Sequence, residues 1–254
     1  MDIDPAAPVL SLSDVVGGYG RMTILNGCSF DVQRAAITTV IGPNGAGKST
    51  TFKAIFGLLR LQSGTIRLNG QDVTGLSPAR LIAQGICYVP QGRNIFPELT
   101  VRENIELGGV ALGTARDMRA RVEEALDRFP ILRQKSGAQA SALSGGQQKL
   151  LEISRGLIAR PRLMLIDEPS IGLSPLMVRD VFATLQRLRD EGMSVLMVEQ
   201  NARSALEISD YAIVLEGGRT RLHGPAQEIL NDPRLARLFL GAEIEIEETG
   251  SGAG

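Results

Sequence analysis

Tryptophan is absent from this 254-residue sequence, histidine occurs once, cysteine twice, and Phe, Trp and Tyr together make up 4%. Cys28 and Cys87 lie in apolar, strand-like stretches without metal-ligand spacing, so they read as buried free thiols in a reducing cytosol rather than as a disulfide framework. His223 sits beside Gly224-Pro225 near a strand end and reads as structural. No apolar run approaches the ~18 residues that span a bilayer, and the acidic start Met1-Asp2-Ile3-Asp4 does not read as a signal peptide. A surplus of either charge is missing too: 27 basic residues face 28 acidic ones spread along the chain, which argues against a nucleic-acid surface. The basic residues are almost all Arg, with only four Lys. Any membrane role must then come through a partner. What remains, 43% hydrophobic residues and 29 Gly, suits one large α/β domain or a core domain with a smaller subdomain.

The chain is organised around Gly42-Pro43-Asn44-Gly45-Ala46-Gly47-Lys48-Ser49-Thr50. A β-branched run, Ile37 to Ile41, leads in, and a helical stretch from Thr51 leads out. Glycine tolerates positive φ and lets backbone N–H groups close on an anion, while the new helix adds unpaired N–H groups and a positive dipole end. The spacing G-x-x-x-x-G-K-[ST] predicts a phosphate cradle in which Lys48 reaches the β- and γ-phosphates and Ser49 takes a Mg²⁺ position.

Elsewhere the pattern alternates strands and helices. Val9 to Val16 reads as a strand running into Gly17-Gly18-Tyr19-Gly20, where Tyr19 is either a platform for a base or a cover for the strand end. Gly27 to Gln33 and Ala36 to Ile41 are expected to form a hairpin, although Arg34-Ala35 lacks the usual turn residues. Ile86 to Gln91 is a short strand stopped by Pro90, followed by a loop, Gly92 to Pro97, with apolar residues where polar ones are the rule. That loop is either a docking surface or a lid. Residues 101–134 read as helical, with Leu107, Val110 and Ala111 on one face and a second helix from about Arg116 to Arg133. Ser144-Gly145-Gly146-Gln147 opens a further helix and supplies a second anion site, or else is an ordinary capped helix. Arg162 to Ile166 is a buried strand ending in Asp167 and Glu168, where ligands sit in parallel sheets. There Asp167 can hold Mg²⁺ through water and Glu168 can polarise an attacking water. Pro175 to Glu191 reads as an amphipathic helix, Ser194 to Val198 as a strand, and Tyr211 to His223 as a hairpin about Gly217-Gly218. Residues 1–8 are expected to fray, and the acidic, then Gly/Ser-rich, segment 242–254 to be disordered.

Taken together, these segments resemble the ATP-binding subunit of an ABC transporter from about Val9 to Leu240. Gly42 to Thr50 resembles the Walker A loop, Gln91 the Q-loop, Leu143 to Gln147 the LSGGQ signature, and Leu163 to Glu168 the Walker B strand with its catalytic glutamate. The resemblance implies a P-loop NTPase fold over residues 9–241. It has a parallel core sheet, an N-terminal antiparallel β subdomain, and a helical subdomain over about 95–160. It further implies Tyr19 stacking on adenine, a Mg²⁺ shell involving Ser49, Gln91 and Asp167, and a cage of Asn44, Gly45, Ala46, Gly47, Lys48, Ser49 and Thr50 around ATP. The cage is completed by Ser144, Gly145, Gly146 and Gln147 of a second ATPase subunit. The implied partners are permease subunits in the membrane, touched by the Gln91 segment, and indirectly an extracytoplasmic solute-binding protein. The implied place is the cytoplasmic face of the plasma membrane.

Two positions depart from the family pattern: Gln200 stands where a switch histidine is usual, and Ser174 replaces an aspartate after the Walker B strand. A glutamine amide donates a hydrogen bond to a γ-phosphate but does not titrate. Both departures resemble the LivF-type ATP-binding subunits of branched-chain amino-acid importers, as do Val89 to Pro97 and Val198 to Ala202. The expected activity is ATP hydrolysis driving import, with Glu168, Lys48 and Gln200 at the γ-phosphate and, as partner, a related ATPase or a second copy of this chain. The rivals are an ABC-type ATPase not coupled to transport and a P-loop small-molecule kinase, which would have no use for Leu143 to Gln147. A purely regulatory nucleotide-binding module is a further rival if Gln200 has removed hydrolysis.

Overall fold

The structure, a computed structural model, describes residues 7–112 and 117–235. Most of the expected frayed start and all of the expected tail, 242–254, lie outside that range. The strands are β1 (Leu10–Tyr19), β2 (Met22–Val32), β3 (Ile37–Ile41), β4 (Leu61–Leu68), β5 (Gln71–Asp72), β6 (Ile86–Val89), β7 (Leu163–Asp167), β8 (Ser194–Val198), β9 (Tyr211–Glu216) and β10 (Arg219–Pro225). The helices are α1 (Lys48–Ile55), α2 (Pro78–Ala83), α3 (Val101–Glu106), α4 (Met118–Arg128), α5 (Pro130–Gln134), α6 (Gly145–Leu157), α7 (Pro175–Asp190), α8 (Ala202–Ile208) and α9 (Ala226–Leu230).

Two sheets carry the fold. One is antiparallel, in the order β2-β1-β4-β5, and the other runs β10-β9-β3-β8-β7-β6 with all but its β10 edge parallel. Strands covered on both faces read as near-continuous apolar runs, and every residue of β3, β7 and β8 is buried, with Thr38, Thr39, Ser194 and Asp167 as their polar members. Phe52 and Ile55 of α1 fill the space between the two sheets, against Leu25 and Phe30 of β2 and Leu165 of β7. A second apolar cluster joins α3 to α7 and the other face of the parallel sheet, and a third packs α8 and α9 on β9. Among the described residues no helix is long and apolar enough to cross a membrane.

Three expectations are corrected here. Residues 27–33 and 36–41 do not form a hairpin: β2 pairs antiparallel with β1, and β3 pairs parallel with β8 and β9 in the other sheet. The connection through Ala35, at φ 47°, carries the chain from one sheet to the other. The predicted helix over Arg116 to Arg133 is two helices, because Pro130 has no N–H to continue α4 and instead opens α5 at its first position. Val110 does not share a buried face with Leu107. It is 71% exposed, because the backbone tightens into a 3₁₀ turn over Leu107–Leu112 and changes the period. Gly108 permits that turn to lie against α6, where an added Cβ would stand 2.2 Å from the Arg155 carbonyl oxygen. His223 lies on an exposed position of edge strand β10, and both cysteines are buried free thiols, with burial pushing Cys87 up to about 12.

Candidate functional site

β3 ends inside the molecule, and its continuation, residues 42–47, wraps over the start of α1. Gly42 passes so close to β9 that a Cβ there would sit 2.1 Å from the Leu215 oxygen, and Gly47, at φ 100°, caps α1. Asn44 and Gly45 are exposed at the loop's tip, Ala46 is buried beneath it, and Ser49 and Thr50 lie half-buried in the first turn of α1. The Lys48 amine is folded onto the loop, donating to the carbonyls of Gly42 at 2.8 Å and Pro43 at 3.0 Å. Burial holds its pKa below the ordinary lysine value, against the opposing pull of Glu168 and Asp167. The β9–β10 turn braces the loop from behind. The Gly218 N–H donates to the Ala46 carbonyl at 3.0 Å, while Asn26 ties the same turn to β2 through its own N–H and side-chain amide.

Facing the loop are the ends of two neighbouring strands. Asp167, the last residue of β7, is 2% exposed and accepts from the Ser49 hydroxyl at 3.4 Å and the Tyr88 hydroxyl at 3.3 Å. Burial raises its pKa above the ordinary carboxylate value, more than the Ser49 bond lowers it. Glu168 follows in a left-handed conformation, φ 46°, which costs an L residue about 1–2 kcal/mol. Its N–H is anchored on the Val198 carbonyl at 2.9 Å, and its carboxylate accepts from the Gln91 amide at 2.7 Å. That bond leaves the Gln91 side-chain oxygen free, on a residue that is itself exposed. A hydroxyl, a carboxylate and an amide oxygen are hard donors, and Mg²⁺ takes one or two carboxylates with substrate phosphates and waters rather than a full protein cage. The donor set therefore fits Mg²⁺.

Two contributors escape a reading by motif. Tyr88 packs edge-on to Phe52 and points its hydroxyl at Asp167. Glu199, 1% exposed, accepts from the Ser170 N–H at 2.9 Å and hydroxyl at 2.7 Å, and so ties the end of β8 to the turn after Glu168. The signal for Glu199 was its place: it directly follows the buried strand β8, as Asp167 ends the neighbouring β7. Gln200 beside it is exposed, and among the described residues its side chain makes no hydrogen bond. Ser174 caps α7 without a side-chain bond.

Tyr19, the last residue of β1, stands 47% exposed, with the Lys53 amine over its ring at 5.5 Å from the centre. Ser144 caps α6 in a reciprocal capping box with Gln147, whose side-chain oxygen accepts from the Ser144 N–H and the Lys135 amine. Gly146 is pressed against Met177, where a Cβ would meet that side chain at 2.9 Å, whereas Gly145 has only Leu173 within reach at 3.3 Å. Among the described residues no hydrogen bond joins Ser144 to Gln147 with the phosphate loop. One chain thus brings together the phosphate loop, Asp167, Glu168 and Gln91, while the bonds of the α6 entrance among the described residues go to Lys135 and within its own capping box.

Residues 25–171 match the sequence model of the ABC transporter family. The high-affinity branched-chain amino acid transport ATP-binding protein BraG of Pseudomonas aeruginosa is 38% identical over 233 residues, 92% of this chain and 100% of that protein. The probable branched-chain amino acid transport ATP-binding protein LivF of Archaeoglobus fulgidus is 39% identical over 225 residues, 88% of this chain and 95% of that one. Among solved structures, the ADP conformation of an ATP-binding cassette of an ABC transporter superposes with a TM-score of 0.84 at 29% identity, covering 93% of this chain and 100% of that one. With a phosphate loop backed by a glycine turn, two carboxylates at adjoining strand ends and this extent of likeness, the chain belongs to the ABC transporter family, as one of its ATP-binding ATPase subunits.

Proposed function

We propose that this chain hydrolyses Mg²⁺-ATP to energise import of branched-chain or related hydrophobic amino acids, acting on the cytoplasmic face of the plasma membrane beneath permease subunits. The observation that carries the reading is the meeting of Ser49, Asp167, Gln91 and Glu168 at the mouth of the phosphate loop. The names of its relatives BraG and LivF support the substrate class.

The phosphate loop and Lys48 bind the triphosphate, with Lys48 exchanging its bonds to the Gly42 and Pro43 carbonyls for phosphate oxygens. Tyr19 stacks on adenine. Ser49 and Asp167, with the Gln91 oxygen, would hold Mg²⁺, which when bound neutralises charge on the β- and γ-phosphates. Glu168 orients a water in line with the γ-phosphorus and accepts its proton, as phosphoryl transfer needs little more from protein than position and charge. Gln200 donates a hydrogen bond to the γ-phosphate. Ser144 and the backbone N–H groups at Gly145, Gly146 and Gln147, which among the described residues make no hydrogen bond to the chain's own phosphate loop, serve the ATP of a second ATPase subunit. A group supplied in trans to such a site is worth roughly 10³ to 10⁵ in rate, so turnover waits for the two subunits to close.

An apolar groove of about 680 Å³ lies between Tyr88, Ile95 and Phe96 on one side and Leu107 and Val110 on the other, directly after Gln91. It is the seat we assign to a permease segment. Two measurements test the reading: phosphate release from ATP without any added acceptor, and uptake of labelled leucine and lysine by cells carrying Glu168→Gln in place of the native chain. Acceptor-free release, with leucine uptake lost and lysine uptake kept, is expected. Release only in the presence of an acceptor, or unchanged leucine uptake, contradicts it.

A further inference from the structure

α6 carries a buried ion pair that the mechanism above does not use. The Lys149 amine and the Glu152 carboxylate meet at 2.5 Å, with side chains only 6% and 2% exposed. Burying two charges is costly, and apolar residues of the same volume generally hold a helix at least as well. Among the described residues, the remaining bonds of this pair go to one turn outside the helices. Lys149 donates to the Gly92 carbonyl at 3.1 Å, and the second Glu152 oxygen accepts the Asn94 N–H at 2.6 Å. Asn94 in turn donates its amide to the carbonyls of Pro90 at 3.1 Å and Gln91 at 3.2 Å. The turn from Pro90 to Asn94 is thus fastened to α6 through charged groups out of water, where such bonds are strongest. Gln91 projects from that turn, exposed, and reaches the Glu168 carboxylate.

We propose that the Lys149–Glu152 pair is a positioning clasp: it fixes the turn that carries Gln91 to the helix that begins at Ser144, and so sets how Gln91 meets Glu168. α6 is a single helix of 13 residues capped by Ser144, so a tilt of its entrance moves the clasp with it. The site that a chain offers to its partner's ATP is thereby linked to the water-activating group at its own. This inference rests on the reading of Glu168 as the base and adds two residues that touch neither nucleotide nor water.

The test is a double-mutant cycle against Gln91. Lys149→Met/Glu152→Leu keeps the volume and removes both bonds to the turn, and Glu152→Gln is the milder variant that keeps an acceptor for Asn94. For Lys149→Met/Glu152→Leu the clasp predicts unchanged ATP affinity measured without Mg²⁺, and kcat for phosphate release lowered about tenfold or more, as for loss of an interaction made only in the transition state. It further predicts no additional loss when the change is placed on Gln91→Ala, because residues acting as one unit are not additive. A full second loss on the Gln91→Ala background overturns the clasp and leaves the ATPase reading intact, as does an unchanged kcat. Should the double variant fail to fold, Glu152→Gln, which removes the charge that holds both Lys149 and the Asn94 N–H, carries the same cycle with a smaller expected loss, about two- to threefold in kcat; no loss, or a loss that adds in full to that of Gln91→Ala, overturns the clasp. A wild-type chain that releases no phosphate overturns the clasp and the proposed function together.

Discussion

Gly217 and Gly218 form one turn, both at positive φ, yet the structure separates them sharply. At Gly217 (φ 56°) an added Cβ meets nothing within 4 Å, so Gly217→Ala carries only the left-handed penalty of about 1 kcal/mol. At Gly218 (φ 74°) the Cβ would stand 1.8 Å from the Ile24 carbonyl oxygen and 2.9 Å from Leu25 Cα, backbone atoms that do not yield. The turn must withdraw, and three hydrogen bonds go with it: Gly218 N–H to Ala46, Asn26 N–H to Gly218, and the Asn26 amide to Gly217. At about 1 kcal/mol each, with the φ penalty, the change costs roughly 4 kcal/mol, a large share of the 5–15 kcal/mol that holds an ordinary domain together. In a chain of this size about 1 kcal/mol lowers Tm by roughly 2–4 °C, so Gly217→Ala should melt a few degrees low and Gly218→Ala roughly 8–16 °C low. Because Ala46 loses its brace, ATP affinity should fall about fivefold in Gly218→Ala, the worth of one hydrogen bond, and hold in Gly217→Ala. Thermal melts and ATP titration of the two variants decide it. Equal melting temperatures, or an unaltered affinity in Gly218→Ala, would refute the bracing of the phosphate loop by this turn.

Three further outcomes follow from the site. Glu168→Gln should lower the hydrolysis rate roughly 10²- to 10⁴-fold, the usual worth of a general base, while leaving the chain at least as stable. The lost charge is one that raises the pKa of both Asp167 and Glu199, and a melt alongside the phosphate assay reads both effects. Burial raises the folded-state pKa of Asp167 above its ordinary 3.8 and that of Glu199 above 4.5. Their protonated forms therefore favour the fold: that stability is full below the ordinary values and is lost as pH rises through the raised ones. Asp72, Glu103, Asp117, Glu123 and Asp232, held low by their partners, pull the other way, so the comparison is with Asp167→Asn/Glu199→Gln: without ligand, the denaturant midpoint of the native chain relative to this variant should fall as pH rises across that window, and a difference that does not fall contradicts the burial argument. Tyr19→Ala should weaken ATP binding by about 1–3 kcal/mol, the range of base stacking on an aromatic ring. The loss should be much smaller for inorganic triphosphate, which titration of the two ligands compares.

The parts of this molecule that the sequence makes legible are those in which chemistry and local structure share one stretch. The run from Ile37 to Ser49 contains its own strand, turn and helix start, and Leu163 to Glu168 contains both a buried strand and its charged end. The Ser144 capping box is likewise complete within four residues. What escapes such a reading is set by distant partners. Ile37 to Ile41 reads as half of a hairpin because its neighbour in the chain is a strand, yet its sheet partners are β8 and β9, more than 150 residues on. The bracing of Ala46 by Gly218 and the grip of Glu152 on Asn94 join segments that no periodicity links. Val110 misleads for a different reason: helical spacing holds only while the backbone keeps its period, and the pair Gly108-Gly109 lets it tighten.

The central claim is that one triphosphate is held by the phosphate loop of one subunit and the α6 entrance of another. Glu168→Gln, loaded with ATP and sized alone and with a candidate partner ATPase, measures this directly, since a chain that binds but cannot hydrolyse should stay closed. A dimer that forms only with ATP, and is lost when Ser144→Phe blocks the helix entrance, is the predicted result. A monomer under every condition, or a dimer indifferent to ATP and to Ser144, would contradict the account.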